Sequence, residues 1–283
     1  IFWSYEVGKE QVMNNLKSAN EEIARQNAEI MSMNTALEEK VSQRTLRLAT
    51  ANEELDTFLY ESSHALRRPL VRIMGLLQLM ELEYPPEERD GFKSIIRMTT
   101  TEMDRMLHDL LKVSEVNNRD LEFRPVLLQD EVDSVVGDLE IRIDMSAVDL
   151  HIDIPEDFEP NTDNALLRIL LDKLIQNAVK YRSPERPRHT VRIAARHDVD
   201  HHVLEVYDTG MGIDPRAMPD LFKMFVRGTE KYNGNGLGLF IVQKVLERIQ
   251  ADIEVNSKMG EYTRMTVRFP KKPAKDVRME VVA

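Results

Sequence analysis

A few short segments hold residues whose types and spacing can do chemistry. His64 stands in Ser62-Ser63-His64-Ala65-Leu66-Arg67-Arg68-Pro69-Leu70, an imidazole on a helical run. A neutral imidazole carries a nitrogen lone pair that can act as a nucleophile. Asn177-Ala178-Val179-Lys180-Tyr181 pairs an amide oxygen able to ligate Mg²⁺ with a lysine nearly one helical turn on that can reach phosphate. In Asp208-Thr209-Gly210-Met211-Gly212-Ile213 the carboxylate can accept a hydrogen bond from an exocyclic amine such as adenine N6. Gly210 and Gly212 let the backbone turn tightly beside such a base. Gly234-Asn235-Gly236-Leu237-Gly238-Leu239 runs into an apolar helix, where glycines expose N–H groups and the positive dipole end to phosphate. Arg227, at the end of Phe222-Lys223-Met224-Phe225-Val226-Arg227, is suited to a terminal phosphate. A dinucleotide fingerprint fails here, because its third glycine falls at Leu239, and the Walker lysine is missing. Singly, these segments also read as surface decoration or ordinary turns; together they ask for elements that bring them to one place.

Those elements begin with a heptad from Met13 to Phe58. Its a positions are Met13, Asn20, Asn27, Asn34, Val41, Leu48 and Leu55; its d positions are Leu16, Ile23, Ile30, Leu37, Arg44, Ala51 and Phe58. Buried Asn at a favours an in-register two-stranded coiled coil, so a parallel homodimer is expected. The helix continues through Leu66, Leu70, Ile73, Leu77 and Met80, with Pro69 inside it, and stops at Glu83-Tyr84-Pro85-Pro86. Ile95, Ile96, Met103, Met106, Leu107, Leu110 and Leu111 predict a second helix, making a helical hairpin and, in a dimer, a four-helix bundle. His64 lies about 200° around the helix from Leu66 and is expected to face solvent. From Phe123 the pattern becomes mixed: strands over 123–128 and 148–154, helices over 130–145 and 161–181, a hairpin of 191–195 with 202–207, a helix over 237–249, and a closing hairpin of 253–255 with 264–269. The expected class is α+β, an N-terminal helical part followed by an α/β sandwich. The expected divisions are a signalling coiled coil (1–50), a dimerisation and phosphotransfer region (51–120), a nucleotide-binding domain (121–272) and a tail (273–283).

In order and spacing, the four segments from Asn177 to Gly238 resemble the N, G1, F and G2 boxes of the histidine-kinase branch of the GHKL ATPases, whose domain has the Bergerat fold. The His64 segment resembles the H box of the dimerisation and phosphotransfer domain of sensor histidine kinases. The resemblance covers about residues 40–270. It implies ATP and Mg²⁺, with Asn177 on the metal, Lys180 on phosphate, Tyr181 packed on adenine and Asp208 reading the adenine amine. Arg227 and the Gly234, Gly236, Leu237 and Gly238 backbone would hold the phosphates. It further implies a homodimer, phosphorylation of His64 at Nε2, and relay to an aspartate on a response-regulator receiver domain.

Some positions depart from the family pattern. Ala65 stands where an Asp or Glu normally follows the histidine and serves as base, so reduced kinase activity is expected. Arg68 occupies the family's phosphatase position, Lys173 stands where a first Asn is common, and Gly260-Glu261-Tyr262-Thr263 lacks a second glycine. The second reading is therefore a weakened kinase acting as a dimeric nucleotide-binding scaffold; a gyrase-like ATPase ranks last, since it predicts neither the heptads nor the His64 segment. A net charge of -11 argues against nucleic acid as partner, and the absence of Cys excludes disulfides and thiolate chemistry. His197, His201 and His202 flank a turn and read as ordinary. No apolar stretch approaches the roughly 20 residues that span a bilayer. Opening on Ile1-Phe2-Trp3-Ser4-Tyr5 without Met, the chain reads as a cytoplasmic fragment of an inner-membrane-anchored bacterial protein, touching the membrane only through a sensor region outside it.

Overall fold

The computed structural model describes residues 2–82, 84–183, 186–226 and 234–271. The chain divides into two units, Ile1–Tyr60 and Glu61–Ala283. Helix α1 (Phe2–Met80) supplies the first and opens the second. In the first unit the apolar heptad residues Leu16, Ile23, Ile30 and Leu37 are all more than half exposed on the single chain.

In the second unit α1 carries Pro69 without ending there, although proline cannot donate to the Ala65 carbonyl one turn back. Its covered face is Ser62 and Ala65, both buried, with Leu66, Pro69 and Ile73 half-buried. The expected stripe is thus only partly covered: Leu70 and Leu77 are about half exposed, because the line of burial follows the 3.6-residue turn from Ala65. His64 is exposed, as its angular offset from Leu66 requires. Helix α2 (Pro86–Asn118) starts on a proline, which is tolerated in a first turn, and buries Thr99, Met106, Val113 and Val116 at helical spacing.

The remainder is an α/β domain. Strands β2 (Val148–Asp153), β4 (His189–His197), β5 (His201–Asp208), β6 (Asp252–Lys258) and β7 (Tyr262–Pro270) form a sheet in the order β2-β4-β5-β7-β6. Only the β2–β4 pair is parallel, so the sheet is mixed. Helices α3 (Leu128–Arg142), α4 (Asn164–Lys180) and α5 (Gly238–Ile249) pack as the second layer. The core lies between the layers. Leu166, Leu167, Leu170, Leu171, Leu174 and Ile175 give α4 a broad apolar face, met by Ile241, Val242 and Val245 of α5 and by Val191, Ile193, Leu204 and Val267 of the sheet. Burying each such side chain fully is worth about 1.5–3 kcal/mol.

Several expected boundaries need correction. The strand over 123–128 is only β1 (Phe123–Pro125); its continuation hooks back through Val126 N–H to the Pro160 carbonyl (3.1 Å), and Leu128 already belongs to α3. Helix α3 stops at Arg142 rather than 145, because Ile143 is extended. Residues 161–163 are not helical but form β3 (Asn161–Asp163), antiparallel to β1. The reason is Asp163, whose extended backbone and side-chain bond from Leu166 N (3.1 Å) cap α4 and fix its start at Asn164. Asp163 also accepts from Glu122 N (3.0 Å) and pairs with Arg119 (3.3 Å). Burial alone would raise its pKa, but those N–H groups and Arg119 outweigh it and hold the carboxyl below its ordinary value.

Candidate functional site

Helix α4 has one polar face, on which Lys173, Asn177, Lys180 and Tyr181 recur at four, three and one residues. This face meets the turn after β5 and the loop before α5. At the end of β5, Asp208 is 7% exposed and accepts from Gly210 N at 2.8 Å. Burial pushes its carboxyl up to about 7, and the Gly210 N–H only partly offsets this. Met211 N donates to the Tyr181 carbonyl at 3.0 Å, which ties the turn to the end of α4. Gly212 has φ +63 and leaves no room for a β-carbon beside the Lys258 backbone, while Gly260 N reaches the Met211 carbonyl at 2.7 Å. Arg186 donates to the carbonyls of Thr209, Gly260 and Glu261, bracing the turn from outside at 3.0–3.1 Å.

The glycine segment wraps the other side. A β-carbon on Gly234 would lie 3.1 Å from Lys180 Nζ and 3.2 Å from the Tyr181 hydroxyl. Gly236 has φ +71, its carbonyl accepts from Phe225 N at 3.0 Å, and a β-carbon there would sit 2.7 Å from Phe225 Cα. Gly238 opens α5 opposite the Asn177 amide, 3.8 and 3.9 Å from where its β-carbon would be. Leu237, fully buried, anchors the loop, and its N–H is held by Asn235 Oδ1 at 3.1 Å.

Asn177, Lys180, Tyr181, Asp208, Gly212, Gly234, Gly236 and Gly238 therefore line one cavity of about 120 Å³. Gly210 and Leu237 do not line it. His64 and Ala65 lie on α1 and do not line it; Ala65 is 4% exposed beside the exposed His64. Arg227 falls outside the described residues. Among the described residues no cluster of three or more His, Asp or Glu is placed to hold a metal ion.

Reading the sequence did not find Asp109. This residue of α2 bonds Lys173 Nζ at 2.6 Å and Asn235 Nδ2 at 2.6 Å, and it lines the same cavity. The available signal was Lys173 itself, an ammonium among leucines that is 6% exposed and requires an anionic partner. The apolar walls, Leu221, Val226 and Met265 among them, carried no signal beyond ordinary core pattern.

Residues 162–273 match the family model described as histidine kinase-, DNA gyrase B- and HSP90-like ATPase. Cyanobacterial phytochrome A of Nostoc sp. is 30% identical over 229 residues, covering 79% of this chain and 29% of that protein. Sensor histidine kinase RcsC of Escherichia coli is 26% identical over 250 residues, covering 85% of this chain and 26% of RcsC. The chain thus spans less than a third of the length of these relatives. In fold it is similar to histidine kinase ThkA in its complex with response regulator protein TrrA, with a TM-score of 0.60, 21% identity, and 76% of this chain and 61% of that one covered. Among the described residues no helix is long and apolar enough to cross a membrane. A helical region carrying His64, an α/β domain with these glycine turns and these matches together place the chain in the sensor histidine kinase family, with a GHKL-type ATPase domain as its C-terminal part.

Proposed function

We propose that this chain is an ATP-dependent protein-histidine kinase core that binds Mg²⁺-ATP, phosphorylates His64 and passes the phosphate to an aspartate of a response regulator. The observation that carries this reading is the convergence of Asn177, Lys180, Tyr181, Asp208 and the Gly234–Gly238 loop on one cavity. The residues fit the nucleotide. Asp208 is a buried acceptor that, among the described residues, takes one N–H, from Gly210, leaving its second oxygen for an exocyclic amine. Gly238 faces the Asn177 amide with space that a side chain would fill. When bound, Mg²⁺ would neutralise phosphate charge at the Asn177 oxygen. Lys180 and the first N–H groups of α5 would orient the phosphates.

His64 is exposed on α1. In the transfer a bond forms from Nε2 to the terminal phosphorus, the phosphorus bond to the bridging oxygen breaks, and ADP leaves. The ring carries positive charge until its Nδ1 proton departs. A carboxylate one residue on would assist that departure, and Ala65 has none to offer, so the reading includes a slow transfer.

Residues 51–120 serve in this reading as the dimerisation and phosphotransfer region and residues 121–272 as the catalytic domain. The exposed leucines and isoleucines of the heptad, with Leu70 and Leu77, are the faces a second copy would cover in a parallel coiled coil and four-helix bundle. The complex of ThkA with TrrA supports a receiver domain as partner. Membrane anchoring through a sensor region outside these residues belongs to the same proposal. Incubation with radiolabelled ATP tests it: label should appear on the chain, resist alkali, be lost in acid and vanish in His64→Gln. Ala65 also favours a second reading, a dimeric scaffold that binds nucleotide without transfer; binding with no label in the starting chain and in Ala65→Glu would select it.

A further inference from the structure

Asp109 joins α2 to two groups on the wall of the cavity. Its Oδ1 takes the Lys173 ammonium and its Oδ2 takes the Asn235 amide, both at 2.6 Å, across 64 and 126 residues of sequence. The ion pair is well sheltered, with side-chain exposures of 8% for Lys173 and 15% for Asp109. Asn235 in turn uses its Oδ1 to hold Leu237 N–H, a donor at the start of α5. One carboxylate thus commits, directly or through Asn235, an ammonium, an amide and a helix-terminal N–H. These are the kinds of donor that bind phosphate.

The position of this cluster is equally specific. A cleft of about 1120 Å³ runs between α2 and the α/β domain, and Asp109, Lys173 and Asn235 line both it and the inner cavity. The cluster is part of the wall that the two spaces share. A polyphosphate extending from the inner cavity toward the cleft would meet Asp109 as a like charge, and would offer Lys173 and Asn235 a stronger acceptor.

We propose that Asp109 is an internal competitor for the nucleotide phosphates: its carboxylate holds Lys173 and Asn235 in the nucleotide-free protein and is displaced on binding, which releases the α/β domain from α2. Lys173 is then a phosphate-binding residue, in the position where the family pattern has asparagine. This inference rests on the nucleotide reading above and adds to it a residue that sets affinity and couples it to the helix hairpin.

The experiment compares the full chain with Asp109→Asn and Asp109→Ala by titration with ADP and ATP. Removing the competitor while leaving Lys173 in need of an anion should tighten binding about tenfold or more in both variants, with a larger gain for ATP. A residue with a merely structural role would leave affinity unchanged or lower it, and either result in Asp109→Asn overturns the proposal. Binding by none of the three proteins would remove the nucleotide reading and the competition with it. Release is read separately. The chain has no Cys, so Thr101→Cys on α2 and Asp252→Cys on β6 can carry spin labels, mixed with excess unlabelled chain so that distances come from within one protomer. Nucleotide should lengthen or broaden their distance distribution, and Asp109→Asn should show that distribution without nucleotide. Binding with an unmoved distribution would sink the release.

Discussion

Asp208 Oδ1 accepts the Gly210 N–H at 2.8 Å, closing a two-residue turn at the end of the central strand β5. The same residue is buried, and the single N–H does not compensate its ionised form for the loss of water. A carboxyl raised to about 7 in the folded chain is therefore poised for a partner with a donor to give.

The consequence for stability has a definite sign. Between pH 3.8 and about 7 the native chain retains a proton on Asp208 that the unfolded chain has released, so this group's contribution falls as pH rises through that window. Above pH 7 the cost reaches at most about 4 kcal/mol. Asp208→Asn keeps the turn without the charge, and should raise the melting temperature at pH 8 while changing little at pH 4. Melting curves that respond equally at both pH values would refute this.

The same residue predicts proton release on binding. An adenine amine favours the ionised carboxylate, so below pH 7 the wild-type chain should release a fraction of a proton that Asp208→Asn does not, seen by calorimetry in two buffers of different ionisation enthalpy. The variant should bind ATP about 10- to 150-fold more weakly, the worth of one hydrogen bond to a charged group. GTP should bind poorly to wild type, since its six-position is an acceptor.

Two glycines should fail differently. Gly236→Ala places a methyl group 2.7 Å from Phe225 Cα at φ +71, so the loop must shift and the free protein should lose about 1–2 kcal/mol. Gly238→Ala meets the Asn177 side chain only at 3.8 and 3.9 Å, an ordinary contact. It should fold normally and lose nucleotide affinity alone. Equal melting temperatures for the two variants would be the contrary result.

The class of fold and most of the cavity were legible because they are local. Apolar periodicity gave α4, α5 and the hairpins, and residues next to one another in sequence gave the turn at Asp208 and the glycine loop. From sequence alone Asn161–Asp163 continues the helical pattern, because a three-residue strand carries no period and only the long-range pairing with β1 defines it. Asp109 was invisible for the same reason: it sits 64 and 126 residues from its partners. The burial of Ala65 was hidden too, since a small apolar residue fits either face of a helix.

That burial bears on how an acid at position 65 would act. Ala65 is 4% exposed, and proline at 69 cannot donate to its carbonyl. The carboxyl of Ala65→Asp, one methylene from the backbone, must lose most of its water. Its pKa should rise, and the variant should be less stable than wild type by about 1–3 kcal/mol at pH 8. Ala65→Glu has a longer stem that can lie along the apolar surface and carry its head outward toward exposed His64. It should cost less stability and increase the rate of His64 labelling more than Ala65→Asp does, by a factor of about 10²–10⁴ over the starting chain. The measurement is the initial rate of radiolabelling at saturating ATP from pH 6 to 9, alongside melting temperature. For Ala65→Asp the rate should climb to higher pH before levelling, because its base ionises later. Equal stability and equal rates for the two variants would mean that position 65 is open to water when the kinase acts, and that the packing around Ala65 gives way in the working conformation.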